Sequence, residues 1–452
     1  MTRFASFRLL STTILVAGSV ATTACQQDVT SPMGADPALA QSMPQTTVLS
    51  SEGAVQPEVR TPVAAGSADL GSARAKQDAA RQGRPANARR PIPGQFIVVF
   101  KDDVRDAPGL VKRLTAEHGA KLRFEYSGVL KGFSFELPEA AAERVAAALA
   151  RNPQVAYIEA NQAANGDGTQ YMTSADGSSG AWGLDRLDQR YLPLSGSNYY
   201  AATGYGVNAY IIDSGILPGH AEFGGRARIA MNFVNDGRNG ADCHGHGTHV
   251  AGITGGKTFG VAKQVTLYGV KVLDCYNNGT SDLVIAGVNW VYLNRRNPAV
   301  ANISIGSGFS QAMNDAVTRL AASGVFVAVA AGNAASNACY SSPASAAGAF
   351  TTGSSTRSDG RASTSNWGAC VDAYAPGDQI HSAGITSYST TMSGTSMASP
   401  HVAGVAAMFK QTYGNYASAD IVNSLISWST TNIVVGGSYG STPNRLLYKG
   451  GL

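Results

Sequence analysis

From residue 182 onward, short apolar runs alternate with longer stretches in which apolar residues recur every three or four positions. Short apolar runs are typical of strands buried on both faces, whereas the wider spacing is typical of helices. Strands alternating with helices form a parallel sheet with helices on both faces, an α/β fold whose sites lie at the carboxyl ends of the strands. The pattern predicts strands at 207–213, 265–272, 300–305 and 325–330, and helices at 248–255, 281–294, 311–322, 396–411 and 418–427.

A second pattern precedes this one and predicts a small α+β domain at 94–160. The strand-like and helical segments follow in the order strand, helix, strand, strand, helix, strand, which is that of a ferredoxin-like unit. These segments carry no cluster of catalytic residue types, so we expect the larger domain, 182–452, to hold the chemistry. The predicted segments are strands at 95–100, 121–126, 132–137 and 155–159 and helices at 108–118 and 138–151.

The first 24 residues have the pattern of a signal peptide. Arg3 and Arg8 precede an apolar stretch that ends in small residues, as in export signals. Plain cleavage near Ala24 would release a soluble precursor, whereas a lipid on Cys25 would anchor the precursor to a membrane. Both alternatives predict a secreted protein.

Two further segments lack any apolar periodicity and are predicted to be linkers. Residues 25–93 are rich in Ala, Ser, Gln and Pro, a composition that cannot bury enough apolar surface to order a chain. Residues 161–181 are rich in Gly, Ser, Asp and Asn and are predicted to be an exposed linker in which the chain is processed.

Length and charge narrow the class of protein. A chain of 452 residues with 44% hydrophobic residues can bury a large core in two or three domains. The 34 basic residues nearly balance the 30 acidic ones, and this balance gives no footprint for nucleic-acid binding. We therefore expect a monomeric exported protein with no nucleic-acid partner.

Four cysteines follow the signal region: Cys243, Cys275, Cys339 and Cys370. An even number in an exported chain favours disulfide bonds, and four cysteines allow three pairings. Pairing between sequence neighbours would give Cys243–Cys275 and Cys339–Cys370. A zinc site is the alternative, but the chain has no closely spaced Cys-x-x-Cys pair to support it.

Three motifs place an acid, a base and a nucleophile along the larger domain. Asp213 ends an apolar strand, His246 begins a helical segment, and Ser396 begins another. An attacking serine needs a base that works near neutral pH, which imidazole supplies, and a buried aspartate fixes the imidazole tautomer. A helix N-terminus also offers backbone N–H groups that can stabilise an oxyanion.

Each of these residues has a simpler interpretation as well. Ser396 could be an ordinary helix N-cap and Asp213 a turn residue at a strand end. His246 could bind zinc with His244 and His249, although no second cluster of acids or cysteines completes such a site. The presence of all three residue types favours the catalytic interpretation.

The longer motifs around these residues resemble those of subtilisin-like serine proteases, in particular the proteinase K and aqualysin-like group. The resemblance covers about 182–448 and implies the subtilisin-like parallel sheet. The 94–160 unit resembles the inhibitory prodomain of that family, which implies a precursor that cleaves itself. The motifs are Asp213-Ser214-Gly215, His246-Gly247-Thr248-His249-Val250-Ala251-Gly252, Ala330-Ala331-Gly332-Asn333 and Gly394-Thr395-Ser396-Met397-Ala398.

The resemblance implies a role for each catalytic residue. Asp213 would orient His246, which would act first as general base and then as general acid. Ser396 would be the nucleophile, and Asn333 would donate to the oxyanion alongside the Ser396 backbone N–H. The implied partners are protein substrates and the chain's own prodomain, acting as inhibitor and folding aid. The four cysteines also fall where aqualysin-like enzymes pair sequence neighbours.

The resemblance further implies a substrate cleft with an apolar, glycine-walled pocket for large hydrophobic or aromatic side chains. Residues 304–306 would pair with the extended backbone of a substrate, as in recognition by strand addition. Ser307 replaces a glycine of the family, and His244 stands where Asn or Ser is expected, so specificity and pH profile stay open. The residues implied to bind substrate are Ser304, Ile305, Gly306, Ala331 and Gly332.

Structural calcium is the implied cofactor, and no catalytic cofactor is expected. Asp372 matches one calcium site, together with backbone carbonyls near Ala347 and Ala349. Oxygen ligands of these kinds suit a hard cation, although such residues could equally be surface acids and turn residues. A second implied site lies in one loop, with Asp185, Asp188, Gln189, Ser195 and Ser197.

These observations together predict a secreted serine endopeptidase that is made as a self-processed precursor. Two alternatives stay open from the sequence. One is a catalytically silent peptide-binding module on the same fold, and the other is an esterase that acts on small esters.

Overall fold

The computed structural model describes Lys76, residues 91–166, 169–171 and 182–452, with the backbone alone at 169–171. The predicted signal peptide with Cys25, most of the linker that follows it and the end of the second linker lie outside the described residues. In the part of the chain that is described, no helix is both long and apolar enough to cross a membrane.

The N-terminal domain is an antiparallel sheet with two helices against one face. Phe96, Val98 and Phe133 of the sheet share one core with Leu110 and Ala142 of the helices. The strands lie in the order β4-β1-β3-β2, the ferredoxin-like arrangement that the sequence predicts. The elements are β1 (Pro91–Phe100), α1 (Ala107–His118), β2 (Lys121–Tyr126), β3 (Gly132–Glu136), α2 (Glu139–Leu149) and β4 (Val155–Gly166).

Strand β1 is apolar on both faces because both faces are buried. Phe96 and Val98 pack in the core of the N-terminal domain, whereas Ile97 and Val99 belong to a core shared with the larger domain. Successive side chains of a strand point to opposite faces, so one run of apolar residues serves both cores. Burying each such side chain contributes about 1.5–3 kcal/mol.

The larger domain is built on a sheet of parallel strands. Each strand predicted from the sequence is present, with bounds that differ by at most two residues. Across the sheet the strands are β7 (Ala227–Asn232), β8 (Thr266–Lys271), β6 (Asn208–Asp213), β10 (Ala299–Ile303), β12 (Phe326–Ala330), β14 (Phe350–Ser355) and β15 (Ala373–Pro376). Beyond β15 come the short strands β19 (Arg445–Leu446) and β18 (Thr430–Thr431).

Helices cover both faces of this sheet, as predicted. Ala209 and Ile211 of β6 pack in one core with the fourth and seventh helices, and Tyr210 and Ile212 pack in another core with the fifth and sixth. The helices are α3 (Trp182–Asp188), α4 (His246–Gly255), α5 (Ser281–Asn294), α6 (Gln311–Ala322), α7 (Thr395–Tyr413) and α8 (Ser418–Trp428). Helix α7 is buried continuously from Thr395 to Lys410, which explains why it is apolar all round.

Short strands and two 3₁₀ turns lie outside the main sheet. The strands β16, β17 and β5 form a small antiparallel sheet. The short strands are β5 (Thr169–Tyr171), β9 (Asn278–Thr280), β11 (Ile305–Gly308), β13 (Ser341–Ser342), β16 (Ile380–Ala383) and β17 (Ser389–Ser393). The 3₁₀ turns are Ala338–Tyr340 and Tyr439–Ser441.

The prediction of an exposed linker at 161–181 is wrong for its first six residues. Residues 161–166 are the second half of β4, and Asn161, Gln162 and Ala164 are buried there. This half of β4 pairs with β9 and β11 of the larger domain. Backbone pairing to the larger domain orders the segment, so its small polar side chains carry no apolar signal.

Within the described residues, disulfide bonds join Cys243 to Cys275 and Cys339 to Cys370, the pairing predicted from the sequence. They close loops with sequence separations of 32 and 31 residues. Loops of this length contribute about 3–4 kcal/mol each in the loop-entropy estimate. Asp236 and the two sulfurs of Cys243 and Cys275 lie close together, but those sulfurs are bonded to each other and offer no thiolate to zinc.

Candidate active site

Ser396 lies in the first turn of α7, a helix that is buried from Thr395 to Lys410. The Ser396 hydroxyl donates to the carbonyl of Ser304 at 3.1 Å. Helix α7 begins after Gly394, and its first turn presents backbone N–H groups and the positive end of the helix dipole. The side chain is therefore held where a developing negative charge would be stabilised.

A proline inside α7 explains a second contact of Ser396. Pro400 has no N–H, and the carbonyl that an N–H at that position would bond is that of Ser396, four residues earlier. The Ser304 hydroxyl donates to this carbonyl at 2.8 Å instead. Without a donor, a buried carbonyl would cost about 1–3 kcal/mol. Ser304 thus ties the end of β10 to the start of α7.

His246 and Asp213 form a buried pair at the carboxyl end of β6. His246 Nδ1 lies 2.7 Å from Asp213 Oδ1, and the Ser214 N–H donates to the same oxygen at 2.7 Å. Gly247 has no room for a side chain, because a Cβ there would lie 2.2 Å from the carbonyl oxygen of Gly215. The close approach of α4 to the end of β6 therefore requires glycine after His246.

Asp242 organises the start of α4 and was missed by the sequence analysis. One carboxylate oxygen accepts from the Ser214 hydroxyl at 3.0 Å and from the N–H groups of His244 and Gly245 at 3.0 and 2.9 Å. The other accepts from the N–H and hydroxyl of Thr248 at 2.8 and 2.7 Å. A signal was available, since an acid before a glycine-rich helix start is typical of an N-terminal cap.

Asn333 is fixed against the first residue of α7. The Thr395 N–H donates to Asn333 Oδ1 at 2.8 Å, and the Gly332 N–H donates to the Thr395 hydroxyl at 3.0 Å. Gly332 has a φ of 100°, and a Cβ there would lie 2.4 Å from the side-chain nitrogen of Asn366. Glycine is thus needed beside Asn333. Because Oδ1 accepts from Thr395, Nδ2 is the donor end of the carboxamide.

A cavity of about 370 Å³ opens beside Asn333. Gly306, Ala331 and Gly332 line it as predicted, whereas Ser304 and Ile305 are not among its lining residues. These two residues contact α7 and β4 instead, because they lie where β10 passes into β11. The lining carries no charged side chain and consists of Gly306, Ser307, Gly308, Ala330, Ala331, Gly332, Asn333, Ala334, Ser336, Tyr340, Ser341, Ser342, Ala344 and Asn366.

Ser307, the departure from the family pattern, lies in the wall of this cavity. Its hydroxyl donates to the carbonyls of Gly308 and Ser342 at 2.8 and 3.2 Å. The side chain is buried and also contacts the sulfur of Met313. The Ser307 hydroxyl is therefore engaged by the backbone of the wall.

Strand β4 lies between two strands of the larger domain beside the cavity. Ala164 and Asn165 pair antiparallel with Gly279 and Asn278 of β9 on one side. Residues 164–166 pair with β11 on the other side, where Gly166 stands opposite Ile305. Strand β9 was missed by the sequence analysis, because three polar and glycine residues give no strand periodicity.

The chain beyond β4 returns to the same region. Thr169–Tyr171 pairs antiparallel with Thr391–Ser393 of β17, which directly precedes the start of α7. The backbone before residue 167 is thus held by β9 and β11, and the backbone after residue 168 is held by β17.

His244, His246 and His249, the possible zinc ligands named from the sequence, lie in different surroundings. His249 is buried and its Nε2 contacts the carbonyls of Ile380 and Thr390 at 3.1 and 3.2 Å. Burial, followed by the neighbouring His246 as a smaller cause, lowers the pKa of His249 to about 3. Burial also lowers the pKa of His244, whose ring centre lies 6.3 Å from that of His246. Within the described residues these histidines form no metal-binding cluster.

The predicted calcium loop follows α3 and brings its oxygen-bearing side chains together. Asp185 accepts from the N–H and hydroxyl of Ser195 at 3.2 and 3.0 Å, and Gln189 Oε1 accepts from the same N–H at 2.9 Å. The hydroxyls of Ser195 and Ser197 lie 2.9 Å apart. Asp188 accepts from the backbone N–H of Tyr199, and burial raises its pKa.

The second predicted calcium site lies beside β15. Asp372 is buried, and its Oδ2 accepts from the Thr351 N–H at 2.7 Å. The same oxygen and the carbonyl of Ala349 share one cation, the ammonium of Lys76, at 2.7 and 2.8 Å. Ala347 lies two residues earlier, in the turn that leads into β14. Two of the oxygens that the sequence predicts for a calcium site, those of Asp372 and Ala349, therefore bind an ammonium group in the structure.

The fold and the site define a serine hydrolase of the subtilisin type, and the sequence comparisons agree. The Subtilase family model matches residues 204–442, and the Fervidolysin N-terminal prodomain model matches residues 77–161. The chain belongs to the subtilase family and is a subtilisin-like serine proteinase with an N-terminal prodomain.

Similar proteins carry matching descriptions. An extracellular serine proteinase of Thermus sp. (strain Rt41A) is 44% identical over an alignment of 380 residues, and the match covers 79% of this chain and 90% of that protein. The alkaline serine exoprotease A of Vibrio alginolyticus is 43% identical, over 79% of this chain and 67% of that protein. The crystal structure of a cold-adapted subtilisin-like serine proteinase matches with 48% identity and a TM-score of 0.58, over 60% of this chain and 99% of that one.

Proposed function

We propose that the chain is a secreted serine endopeptidase that cuts proteins after large apolar side chains and that first cuts its own precursor. One observation carries this proposal. The buried pair of His246 and Asp213, 2.7 Å apart, stands in one domain with a serine at the N-terminus of α7 and an asparagine fixed beside it. Acyl transfer through serine requires these groups.

In the proposed reaction, Ser396 Oγ attacks the carbonyl carbon of the scissile bond and its proton passes to His246 Nε2. Asp213 holds the imidazole tautomer and stabilises the imidazolium that forms. The oxyanion accepts from the Ser396 backbone N–H and from Asn333 Nδ2, and one such donor is worth about 2.7–4 kcal/mol. His246 then protonates the leaving amine, and water repeats the sequence to release the acid.

The cavity beside Asn333 supports a preference for uncharged side chains. It has a volume of about 370 Å³ and no charged lining residue, so a charged side chain would lose water without gaining a partner. Because Gly306, Gly308 and Gly332 have no side chains to fill the cavity, it can admit large aromatic and aliphatic side chains. We infer a broad specificity for such residues before the cut.

The backbone pairing of the segments before residue 167 and after residue 168 also supports self-processing close to residue 167. Gly166 ends β4 on the side of β9 and β11, and Thr169 begins β5 on the side of β17. The residues between them bridge the two sides that would hold the acyl and leaving portions of a substrate. We infer that the first cut falls between 166 and 169, within the predicted processing segment.

We also propose that structural calcium binds in the Asp185 loop and beside Asp372. The oxygens of Asp185, Gln189, Ser195 and Ser197 suit a hard cation, and Asp188 would add a second carboxylate. These residues would hold the ion and thereby stiffen the loop after α3. At the other site, Asp372 and the carbonyl of Ala349 supply the oxygens.

The proposed location follows from one relative, the Thermus proteinase, which is named extracellular. We propose export of the precursor and a monomeric mature protease without a nucleic-acid partner. If Cys25 carries a lipid, processing near 167 leaves that lipid on the prosegment and frees the protease. The masses of the membrane-held and released forms test this, and a membrane-held mature domain would contradict it.

The deciding experiment compares Ser396→Ala with Ser427→Ala, a control on the exposed surface of α8. We expect Ser396→Ala to accumulate as uncut precursor and to leave casein intact, whereas Ser427→Ala matures and cleaves casein. A Ser396→Ala precursor that still matures by itself would remove Ser396 from its role. A native chain that leaves casein intact would favour the silent binding module, and one that cleaves only activated esters would favour the esterase.

A further inference from the structure

A lysine from the segment before the N-terminal domain reaches into the proposed calcium site. Lys76 is the one described residue that precedes Pro91, and it lies just before the residues that the prodomain family model matches. Its ammonium donates to Asp372 Oδ2 at 2.7 Å and to the carbonyl of Ala349 at 2.8 Å. Both side chains of the ion pair are only 1% exposed.

The Lys76 ammonium and a calcium ion would need the same oxygens. Calcium binds oxygen ligands at about 2.3–2.6 Å, so an ion held by Asp372 Oδ2 and the Ala349 carbonyl would use the two oxygens that Lys76 already contacts. Like charges repel strongly in a buried site, so the two cations exclude each other. The occupant is thus either Lys76 or a metal ion.

We propose that Lys76 is a built-in cation that fills the Asp372 calcium site of the precursor and is replaced by calcium after the prosegment leaves. The proposal rests on calcium binding at Asp372, proposed above, and adds the exchange. A buried carboxylate needs a countercharge at every stage, and Lys76 supplies it while the precursor folds. Release of the prosegment removes that countercharge and opens a site with two oxygens already in place.

The proposal has a consequence for the order of events. The Asp372 site is closed to calcium in the precursor and open in the mature protease, so the protein gains one calcium ion on maturation. Calcium would then oppose rebinding of the prosegment, because the returning Lys76 would have to displace the ion. The proposed site near Asp185 contains no prosegment residue among those described, so it binds calcium before and after maturation alike.

The test uses full-length precursor that carries Ser396→Ala, so that no processing occurs, titrated with calcium chloride in a calorimeter. We expect the Lys76→Met precursor to bind one more calcium ion per chain than its parent. Adding Asp372→Asn should remove that extra ion. Lys112→Met, which removes an exposed lysine of α1, should bind calcium as the parent does.

The outcomes separate this proposal from the calcium proposal beneath it. Equal Asp372-dependent binding in the parent and in Lys76→Met would overturn the exchange and leave the calcium site standing. Failure of Lys76→Met and of the mature protease to bind any Asp372-dependent ion would overturn both.

A second measurement does not depend on how a variant folds. Reductive methylation of the calcium-free Ser396→Ala precursor, read by mass spectrometry, should modify Lys112 and spare the buried Lys76. Equal modification of the two lysines would place Lys76 in solvent and overturn the proposal.

Discussion

Replacement of Asp242 by asparagine isolates the contribution of one carboxylate to the start of α4. The carboxylate accepts five hydrogen bonds, and an asparagine keeps one oxygen and turns the other acceptor into a donor. If the oxygen stays with Ser214, His244 and Gly245, the Thr248 N–H faces an NH₂ group. An unsatisfied buried donor costs about 1–3 kcal/mol, and the lost charge at the helix N-terminus costs about 0.3–1 kcal/mol more.

The expected total is about 1.3–4 kcal/mol, with a central value near 2.5 kcal/mol. For a domain of this size, that central value lowers Tm by roughly 5–10 °C. We expect activity to fall as well, by about tenfold in kcat/KM, because misplaced catalytic groups lose rate steeply. We attribute this loss of activity to Ser214. Its hydroxyl donates to Asp242 and accepts from the Gly247 N–H at 2.9 Å, and these two bonds align β6 with α4.

Stability is best measured in the Ser396→Ala background, where a protease cannot digest its own unfolded chains. Asp420→Asn is the matched control, since Asp420 is an acid in the first turn of α8 and shares only the helix-dipole effect. We expect its Tm to fall by no more than about 3 °C. Asp242→Asn behaving like Asp420→Asn in Tm, with unchanged kcat/KM in the active background, would refute the role given to Asp242.

Three further predictions concern the prodomain, the cavity and the pH dependence. Arg123 Nε lies 2.7 Å from the buried Asp282, so Arg123→Ala should weaken the binding of the prodomain to the larger domain. In an activation time course, this variant should become active at least about tenfold sooner than Arg144→Ala, the control at an exposed position. Ser307→Gly should change the kcat/KM ratio of Phe and Leu substrates by less than about threefold, because the hydroxyl is engaged by backbone; a larger change would contradict this. Burial lowers the pKa of His249 to about 3, so between pH 3 and the ordinary histidine pKa of 6.5 the unfolded chain binds more protons than the folded one. The contribution of His249 to the free energy of unfolding is therefore full above pH 6.5 and falls by up to about 1.4 kcal/mol per pH unit below it. Urea unfolding of the inactive precursor measures this slope, which His249→Gln should reduce.

Helices α4 to α8, the central strands of the larger domain and the elements of the N-terminal domain could be predicted because burial governs them, whereas β7, β14 and β15 of the main sheet were not predicted. Strand β6 has apolar residues on both faces, and helix α7 is apolar all round, so local pattern and tertiary position agree. The residues alone left three cysteine pairings open, and the resemblance to aqualysin-like enzymes supported the pairing that the structure has. Prediction failed where order comes from backbone pairing alone, as in residues 161–166 and in Asn278–Thr280.

At the site, the sequence indicates residue types but not their supporting contacts. Asp213 and His246 stand in separate motifs, and their 2.7 Å contact depends on Gly247 and Asp242, which act through backbone geometry. Ser304 was predicted to bind substrate, yet its hydroxyl compensates for a missing donor at Pro400. Such a role depends on a three-dimensional neighbour and has no signature along the chain. Lys76 is the extreme case, since its partner Asp372 lies 296 positions away.

The pairing of β4 with β9 and β11 offers an explanation of how the proposed precursor could be both a substrate and an inhibitor. Ala164, Asn165 and Gly166 pair through their backbones with β9 and β11, and such pairing is available to almost any extended peptide. Their side chains add the buried methyl group of Ala164 and a hydrogen bond from Asn165 to Asn278 Oδ1. The additional affinity lies elsewhere, in the buried Ile97 and Val99 and in the ion pair of Arg123 with Asp282. Because a protein substrate lacks that second surface, we expect its products to leave and the prodomain to stay bound until it is unfolded or digested.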